Sequence, residues 1–381
     1  MAARAACPFH AGEQEMHFKT GVWQAVESLG RRMIKPAIGT LHADLLSALP
    51  MLLVSAGDSG GRLWASALVG SPGFLSVSAA DPSLLQISSA RLLGGGMLTL
   101  RPGQLIGCLG IQLSSRRRVR VNGQIEAAER APDGRLSLRL RVQQAYTNCP
   151  KYIQKRTLQF SEAPPAGSSG SSAERGTGAL GPAQQAMAAA ADTFFIASTS
   201  GPAPAPAESD SDAAGSGGSG GSLPAAAAAF GHDMSHRGGP PGFVQVEEEG
   251  RVLRWGDYEG NFMFNTLGNL LVSPACALLF LDFQSGDVLM AAGEAEVLHK
   301  DRQLPGAHRA VRFAVQQWVH LRGELPLRQQ GEAEPSPLNP DPAAQPAAGS
   351  SADGSGQQQE EAEHAPLNPP PSASQPQCTV Q

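Results

Sequence analysis

The chain has 381 residues, five cysteines and a formal charge of −5, enough for about two ordinary domains. No apolar run reaches the roughly 18 residues of a membrane span, the cysteines at 7, 108, 149, 276 and 378 show no CxxC spacing, and three tyrosines are few stacking platforms for nucleic acid, so membrane, zinc, disulfide and nucleic-acid classes are not expected. Residues 329–381 carry seven acids and no lysine or arginine, residues 161–231 carry six acids and one base, and taking −7 and −5 from −5 leaves the rest at +7, which suits an anionic small ligand.

In chain order, residues 13–33 place Met16, Phe18, Val22, Val26, Leu29 and Met33 mostly three or four apart, which predicts one amphipathic helix with Gly30 near its end. Residues 42–49 repeat the pattern until Pro50, so residues 1–50 read as a helical segment. From Met51 the period falls to two, with strands expected at 51–56, 63–69, 84–87, 105–113, 118–122 and 136–142. Six short strands with tight turns predict a small closed antiparallel barrel over 51–160, because closure removes exposed strand edges.

Residues 161–191 are Ala, Gly, Ser and Pro with few large apolar side chains and read as a disordered linker; 200–231 read as a low-complexity insertion, and 329–381 as a disordered acidic tail. Gly176-Thr177-Gly178-Ala179-Leu180-Gly181 matches GxGxxG, but with no strand expected before it the match is set aside. Between these stretches the chain repeats itself. Gly70-Ser71-Pro72-Gly73-Phe74 matches Gly239-Pro240-Pro241-Gly242-Phe243 at an offset of 169, and Asn122-Gly123 falls near Ala292-Gly293. An internal duplication makes 192–328 a second barrel, with residues 310–327 as its final, edge strand.

The residues with chemistry to offer cluster in a few places. Arg237 ends a strand and can grip a phosphate in two places, while Gly238 and Gly239 allow close backbone approach. Residues 260–269 read as a helix start, where unpaired N–H groups and the positive dipole end favour an anion; Asn261 and Asn265 add donors. Alternation puts Arg118 and Arg120 on one strand face. Cys149 has no acid or histidine beside it in sequence and reads as a structural or pocket-lining residue, which leaves Lys151 the better ligand candidate. His232 and His236 are four apart, but the flanking glycines argue against the helix that spacing needs for a metal.

The runs 235–246, 255–269 and 274–283 resemble the FMN-binding split-barrel superfamily, specifically proteins related to pyridoxamine 5'-phosphate oxidase. Pro8-Phe9-His10-Ala11-Gly12-Glu13 is similar to the start of bacterial members. The resemblance implies a mainly β fold of two tandem FMN-binding split barrels, paired as an intrachain pseudo-dimer with flavin in the cleft between them. Its implied cofactor-binding residues are Ser235, His236, Arg237, Gly238, Gly239, Asn261, Asn265, Arg118, Arg120 and Lys151. It implies a flavin-dependent oxidoreductase whose substrate is open, reduced by NAD(P)H or a separate reductase, in the cytoplasm or an organelle. Two alternatives stay open: a non-catalytic flavin-binding or interaction module, and a haem-binding barrel with His10, His17 or His236 as axial ligand.

Overall fold

The computed structural model describes residues 7–161, 173–201, 231–299, 301 and 303–341. The insertion from 202 to 230 and the tail from 342 onward lie outside the described residues. The helical segment holds α1 (Ala11–Thr20), α2 (Trp23–Met33) and α3 (Thr40–Ser47). One continuous helix over 13–33 was expected; instead the helix stops at Gly21, where φ is 72° and the N–H bonds back to the carbonyls of His17 and Phe18. Hydrophobic spacing carries across such a break unchanged, so periodicity alone does not reveal it.

The first barrel is built from β1 (Met51–Gly57), β2 (Leu63–Val69), β3 (Leu75–Val77), β4 (Leu84–Leu92), β5 (Leu105–Gln112), β6 (Arg117–Arg130) and β7 (Leu136–Thr147). Their order is β2-β1-β5-β6-β7-β4-β3, and β2 also pairs with β4 through Leu68↔Leu92 and Val69↔Arg91. That last pairing closes six strands into a barrel and leaves the short β3 outside the ring. Fully buried leucines and valines on both faces of β1 and β2 explain their unbroken apolar runs.

A second sheet follows, from β10 (Thr193–Thr199), β11 (His232–Gly238), β12 (Val244–Glu247), β13 (Val252–Asp257), β14 (Ala275–Leu281), β15 (Val288–Leu298) and β16 (Arg309–Leu321). Its order, β11-β10-β14-β15-β16-β13-β12, is that of the first sheet strand for strand. The registers shift at Asn122/Gly123 in β6 and at Ala292/Gly293 in β15. At both glycines an added Cβ would lie 2.0 Å from a neighbouring carbonyl oxygen, of Arg141 or Ala314, so each bulge admits only a residue without a side chain. β16 is not the edge strand expected, since β13, β15 and β9 (Ala173–Thr177) all pair with it.

Two low-complexity readings are corrected here. Within 161–191 the chain forms β9 and α4 (Pro182–Ala190), so GxGxxG begins in the last two residues of a strand and ends at the cap of a helix. Composition missed this because the anchors are few and local: Leu180 and Ala188 join the second core, and Gly181 caps a helix with proline in its first turn. In the tail, β17 (Leu327–Glu334) pairs with β8 (Lys155–Phe160). Beyond it the proline-rich stretch is pinned by the buried Gln154, which accepts from Ser336 N at 2.7 Å and donates to Asn339 Oδ1 at 3.0 Å. An amide bonded to backbone does what apolar burial usually does, and composition does not show it.

α5 (Asn265–Val272) fills the connection from β13 to β14 and packs on α1. The two sheets meet reciprocally: β11 lies against β1, β5 and β6, as β2 lies against β10, β14 and β15. The largest apolar core runs from inside the barrel across this junction to Leu279, Met290 and Leu321. No helix among the described residues is long and apolar enough to cross a membrane.

Candidate functional site

A cleft opens where the two sheets meet, with about 110 Å³ of free volume. β6 supplies Arg118 and Arg120 on one face, and the chain leaving β7 adds Asn148, Cys149, Lys151 and Tyr152. Facing them are Ser235 to Gly238 on β11, Asp257 at the end of β13, Tyr258, and the loop through Phe262 and Phe264 into the first turn of α5. Nine of the ten candidates border it: Ser235, His236, Arg237, Gly238, Asn261, Asn265, Arg118, Arg120 and Lys151. Gly239 does not. It turns the chain behind the cleft, where a side chain would strike Phe243 and its carbonyl accepts from Gln154 Nε2 at 3.2 Å.

Bordering the cleft is not the same as facing a ligand with a free donor. Arg120 is committed internally: Nη1 reaches Asp233 Oδ2 at 3.0 Å, Asn265 Oδ1 at 3.1 Å and Tyr146 OH at 3.3 Å, and Nη2 bonds Ser235 Oγ. Asn265 turns its amide to Glu13 Oε1 at 2.6 Å rather than into the cleft. Lys151 pairs with Glu259 at 3.2 Å on the rim. By contrast, Arg118 donates to the Cys149 carbonyl at 2.6 Å, and Arg237 to Ser235 Oγ at 2.9 Å and the His236 carbonyl at 3.0 Å. Neither has a carboxylate ion-pair partner among the described residues.

Two cations so placed, Arg118 buried and Arg237 half-buried, make an electropositive hole. Burial, opposed by contact with Cys149 and reinforced by the charges of Arg120 and Arg237, lowers Arg118 to about 10, which still leaves it charged at neutral pH. His236 falls well below its usual range through burial first and then the positive charges of Arg118, Arg237 and Arg156, so its imidazole is neutral. Burial raises Asp257, partly offset by Arg237 and by Arg309, whose Nε is 3.2 Å away. Of the thirteen buried side-chain N and O atoms without a hydrogen bond among the described residues, six line this cleft: Arg118 Nε, Arg120 Nε, Asn148 Oδ1, His236 Nε2, Asn261 Nδ2 and Thr266 Oγ1. Such atoms are costly unless something meets them.

The remaining wall is aromatic and strained. Tyr152, Phe262 and Phe264 have φ of 64°, 58° and 52°, a region that bulky residues avoid and that concentrates at ligand sites. Tyr152 packs on Tyr258 with centroids 5.3 Å apart. Phe264 is the residue before α5, no side chain caps that helix, and its first N–H groups are left for an anion. Sequence reasoning did not propose the carboxylates Asp233 and Glu13 as part of this arrangement. Their partners lie 113 and 252 positions away, and the one local signal was the three-residue spacing from His10 to Glu13 that forms a capping box.

A larger hollow of about 400 Å³ lies against α4, lined by Met187, Phe280 and Phe283. Its charges are satisfied: Arg156 bonds Asp192, and His320 and Arg322 meet Asp287 at 3.3 and 3.5 Å. Among the described residues no group of three or more His, Cys, Asp or Glu is placed to hold a metal.

No family model and no curated protein matches this chain. Among solved structures it is similar to HupZ of Group A Streptococcus, at 7% identity over 36% of this chain and 96% of that one, with a TM-score of 0.24. A candidate pyridoxamine 5'-phosphate oxidase of Lactobacillus delbrueckii is 14% identical over 30% of this chain and 98% of its own, with a TM-score of 0.21. The inhibitor of motility MotI of Bacillus subtilis is 9% identical over 70% and 87%, with a TM-score of 0.18. At such scores these likenesses carry no argument, and the reading of the site rests on its own residues.

Proposed function

We propose that the chain binds flavin mononucleotide in this cleft and acts as a flavin-dependent oxidoreductase, its two sheets being tandem split barrels that arose by duplication and pair as a pseudo-dimer. One observation carries the reading: the buried Arg118 and the half-buried Arg237, neither within ion-pair distance of a carboxylate among the described residues, stand beside the uncapped start of α5 and opposite a wall of aromatic rings. A phosphate ester of a planar ring system satisfies both ends of such a site. Arg118, Arg237 and the first N–H groups of α5 would hold the phosphate, with Asn261 Nδ2 as a further donor. Tyr152, Tyr258 and Phe262 would lie against the ring. The free volume is below the roughly 300–1,000 Å³ of ordinary ligand pockets, so the ring would extend toward the open mouth, within reach of a nicotinamide or a reductase.

A bound flavin would supply the hydride or electron chemistry, and the protein its orientation and electrostatics. Arg120 would act at one remove, fixing Ser235 and Asn265 while Asp233 balances its charge. The test is the visible spectrum of the purified protein, with chromatography of what heat releases. Flavin bands with FMN in the supernatant support the reading; a colourless protein that takes up no added FMN ends it.

Haem is the second reading, because His236 presents a neutral ring with Nε2 unbonded at the cleft. His10 and His17 serve it less well, since their Nε2 atoms already meet Asn269 Oδ1 at 2.8 Å and the Met263 carbonyl at 3.1 Å. A Soret band abolished by His236→Ala would replace flavin with haem.

A further inference from the structure

On the far side of Arg120 from the cleft lies a small polar chamber of about 20 Å³, room for about one water. It is bordered by His10, Glu13, Asn122, Asp233, Asn265 and Asn269, and Asn122 Oδ1 is buried there without a partner. The N-terminal motif supplies one wall. Glu13 Oε2 accepts from His10 N at 3.0 Å, and Glu13 Oε1 accepts from Asn265 Nδ2 at 2.6 Å. Asn265 Oδ1 accepts in turn from Arg120 Nη1 at 3.1 Å; Arg120 bonds Ser235, and Ser235 Oγ accepts from Arg237 Nη1 at 2.9 Å. A continuous path therefore runs from α1 to a cation of the cleft.

The same motif grips α5 a second time one turn on. His10 Nε2 lies 2.8 Å from Asn269 Oδ1, and Asn269 Nδ2 donates to Ser198 Oγ at 2.9 Å. Between these two contacts the helices touch backbone to backbone: a Cβ on Gly12 would lie 2.2 Å from the Gly268 carbonyl oxygen, and one on Gly268 would lie 2.6 Å from Glu13 N. The motif's glycine is what lets Glu13 reach Asn265.

We propose that Glu13 and His10 are positioning residues for the ligand cleft: they hold the start of α5 and the Arg120 guanidinium in place, and the charge on Glu13 sets how strongly the cleft holds its anion. This rests on the reading of the cleft as a phosphate site. The ionisable groups facing Glu13 are His10 on its own helix, Arg120 from β6, Tyr146 from β7, and Asp233 and His232 from β11; α5 brings only amides. Burial raises Glu13 to about 8, a rise that its bonds to Asn265 and His10 oppose, Asp233 reinforces and Arg120 opposes. Below that pH Glu13 is neutral and the Arg120–Asp233 pair is balanced. Above it a second carboxylate stands beside Arg120 and repels an anion across the wall, so anion binding and the Glu13 proton favour one another.

The experiment measures dissociation constants of FMN and, separately, of inorganic phosphate with the full chain from about pH 6.5 to 9.5, for wild type, Glu13→Gln and Glu13→Ala. The ligands' own ionisation is common to all three and cancels in ratios to Glu13→Gln. Wild type should match Glu13→Gln at pH 7 and weaken at least ~5-fold relative to it by pH 9, the lower end of ordinary coupling between sites. Glu13→Ala should be weak throughout. A wild-type to Glu13→Gln ratio that stays constant with pH while FMN binds overturns this inference and leaves the flavin reading standing. Phosphate binding with the expected profile and no FMN binding does the reverse, and failure of both probes at every pH overturns both.

Discussion

The cleft and its counterpart on the other side of the sheet junction share strand order and register but have opposite chemistry. Aligning the sheets by register, Leu53↔Ala67 with Phe195↔His236 and Leu109↔Arg120 with Leu279↔Met290, places Ser66, Ala67 and Leu68 where the cleft has Ser235, His236 and Arg237. Val288, Met290 and Ala292 stand for Arg118, Arg120 and Asn122, and Trp64 stands for Asp233. All of these save Ser66 belong to the main apolar core. Where α5 opens one side, a turn at Gly94 closes the other, its Cβ position 3.2 Å from Met290 Sδ and 3.5 Å from Leu321 Cδ1. In the proposed reading one side binds while the other holds the halves together, which means one ligand per chain.

The largest test of that division is to charge the packed side. Met290→Arg, which installs the residue found opposite, buries a cation with no Asp233 equivalent and should destabilise by about 4 kcal/mol or more in urea unfolding; a variant that stays stable and binds a second FMN would show the counterpart to be a latent site. Next comes the reverse change. Asp233→Ala strands Arg120 and should lose about 3–5 kcal/mol, much of it recovered when Arg120→Met is added to match the packed side. Full additivity of the two substitutions would mean that the pair is not coupled.

Arg237→Ala should leave stability within ~1 kcal/mol but weaken FMN about 10- to 100-fold, the effect of losing charged hydrogen bonds worth roughly 1.5–3 kcal/mol. Unchanged FMN fluorescence quenching in that variant would remove it from the site. The acid limb separates the sides further. Burial lowers His10 and His232 to about 4, and His236 well below its usual value. Below the unfolded pKa near 6.5 the unfolded chain therefore takes up protons that the folded one refuses, and stability falls as pH drops from about 6.5 toward 4, by at most ~1.4 kcal/mol per pH unit per histidine. His232→Leu with His236→Ala, the residues at the equivalent positions Leu63 and Ala67, should flatten the melting-temperature profile over that range. The smallest effect is expected at the rim, where Lys151→Ala loses a partly exposed ion pair worth about 0.5 kcal/mol or less and should change FMN affinity less than ~3-fold.

Much of this was legible in local pattern. Alternation announced the strands, the duplicated Pro-Gly turns announced the second sheet, and nine candidate residues chosen one motif at a time border one cleft. What stayed hidden were partners. Arg118 and Arg120 look alike along β6, yet among the described residues one meets only a carbonyl and the other is neutralised by Asp233. The stretch 173–190 looked like linker because a short strand and a short helix need only a few anchors supplied by β16 and the second core.

By itself the sequence determined the periods, the turns, the bulge glycines and the supply of cationic and amide side chains, because each depends on neighbours a few positions away. Only the tertiary structure decided which of two equivalent sides would be polar, which arginine keeps an open charge, and that Glu13 loses its water at the end of that path. Those are matters of desolvation and pairing between groups more than 100 positions apart, and burial energy depends on what finally surrounds a charge, not on what precedes it in the chain.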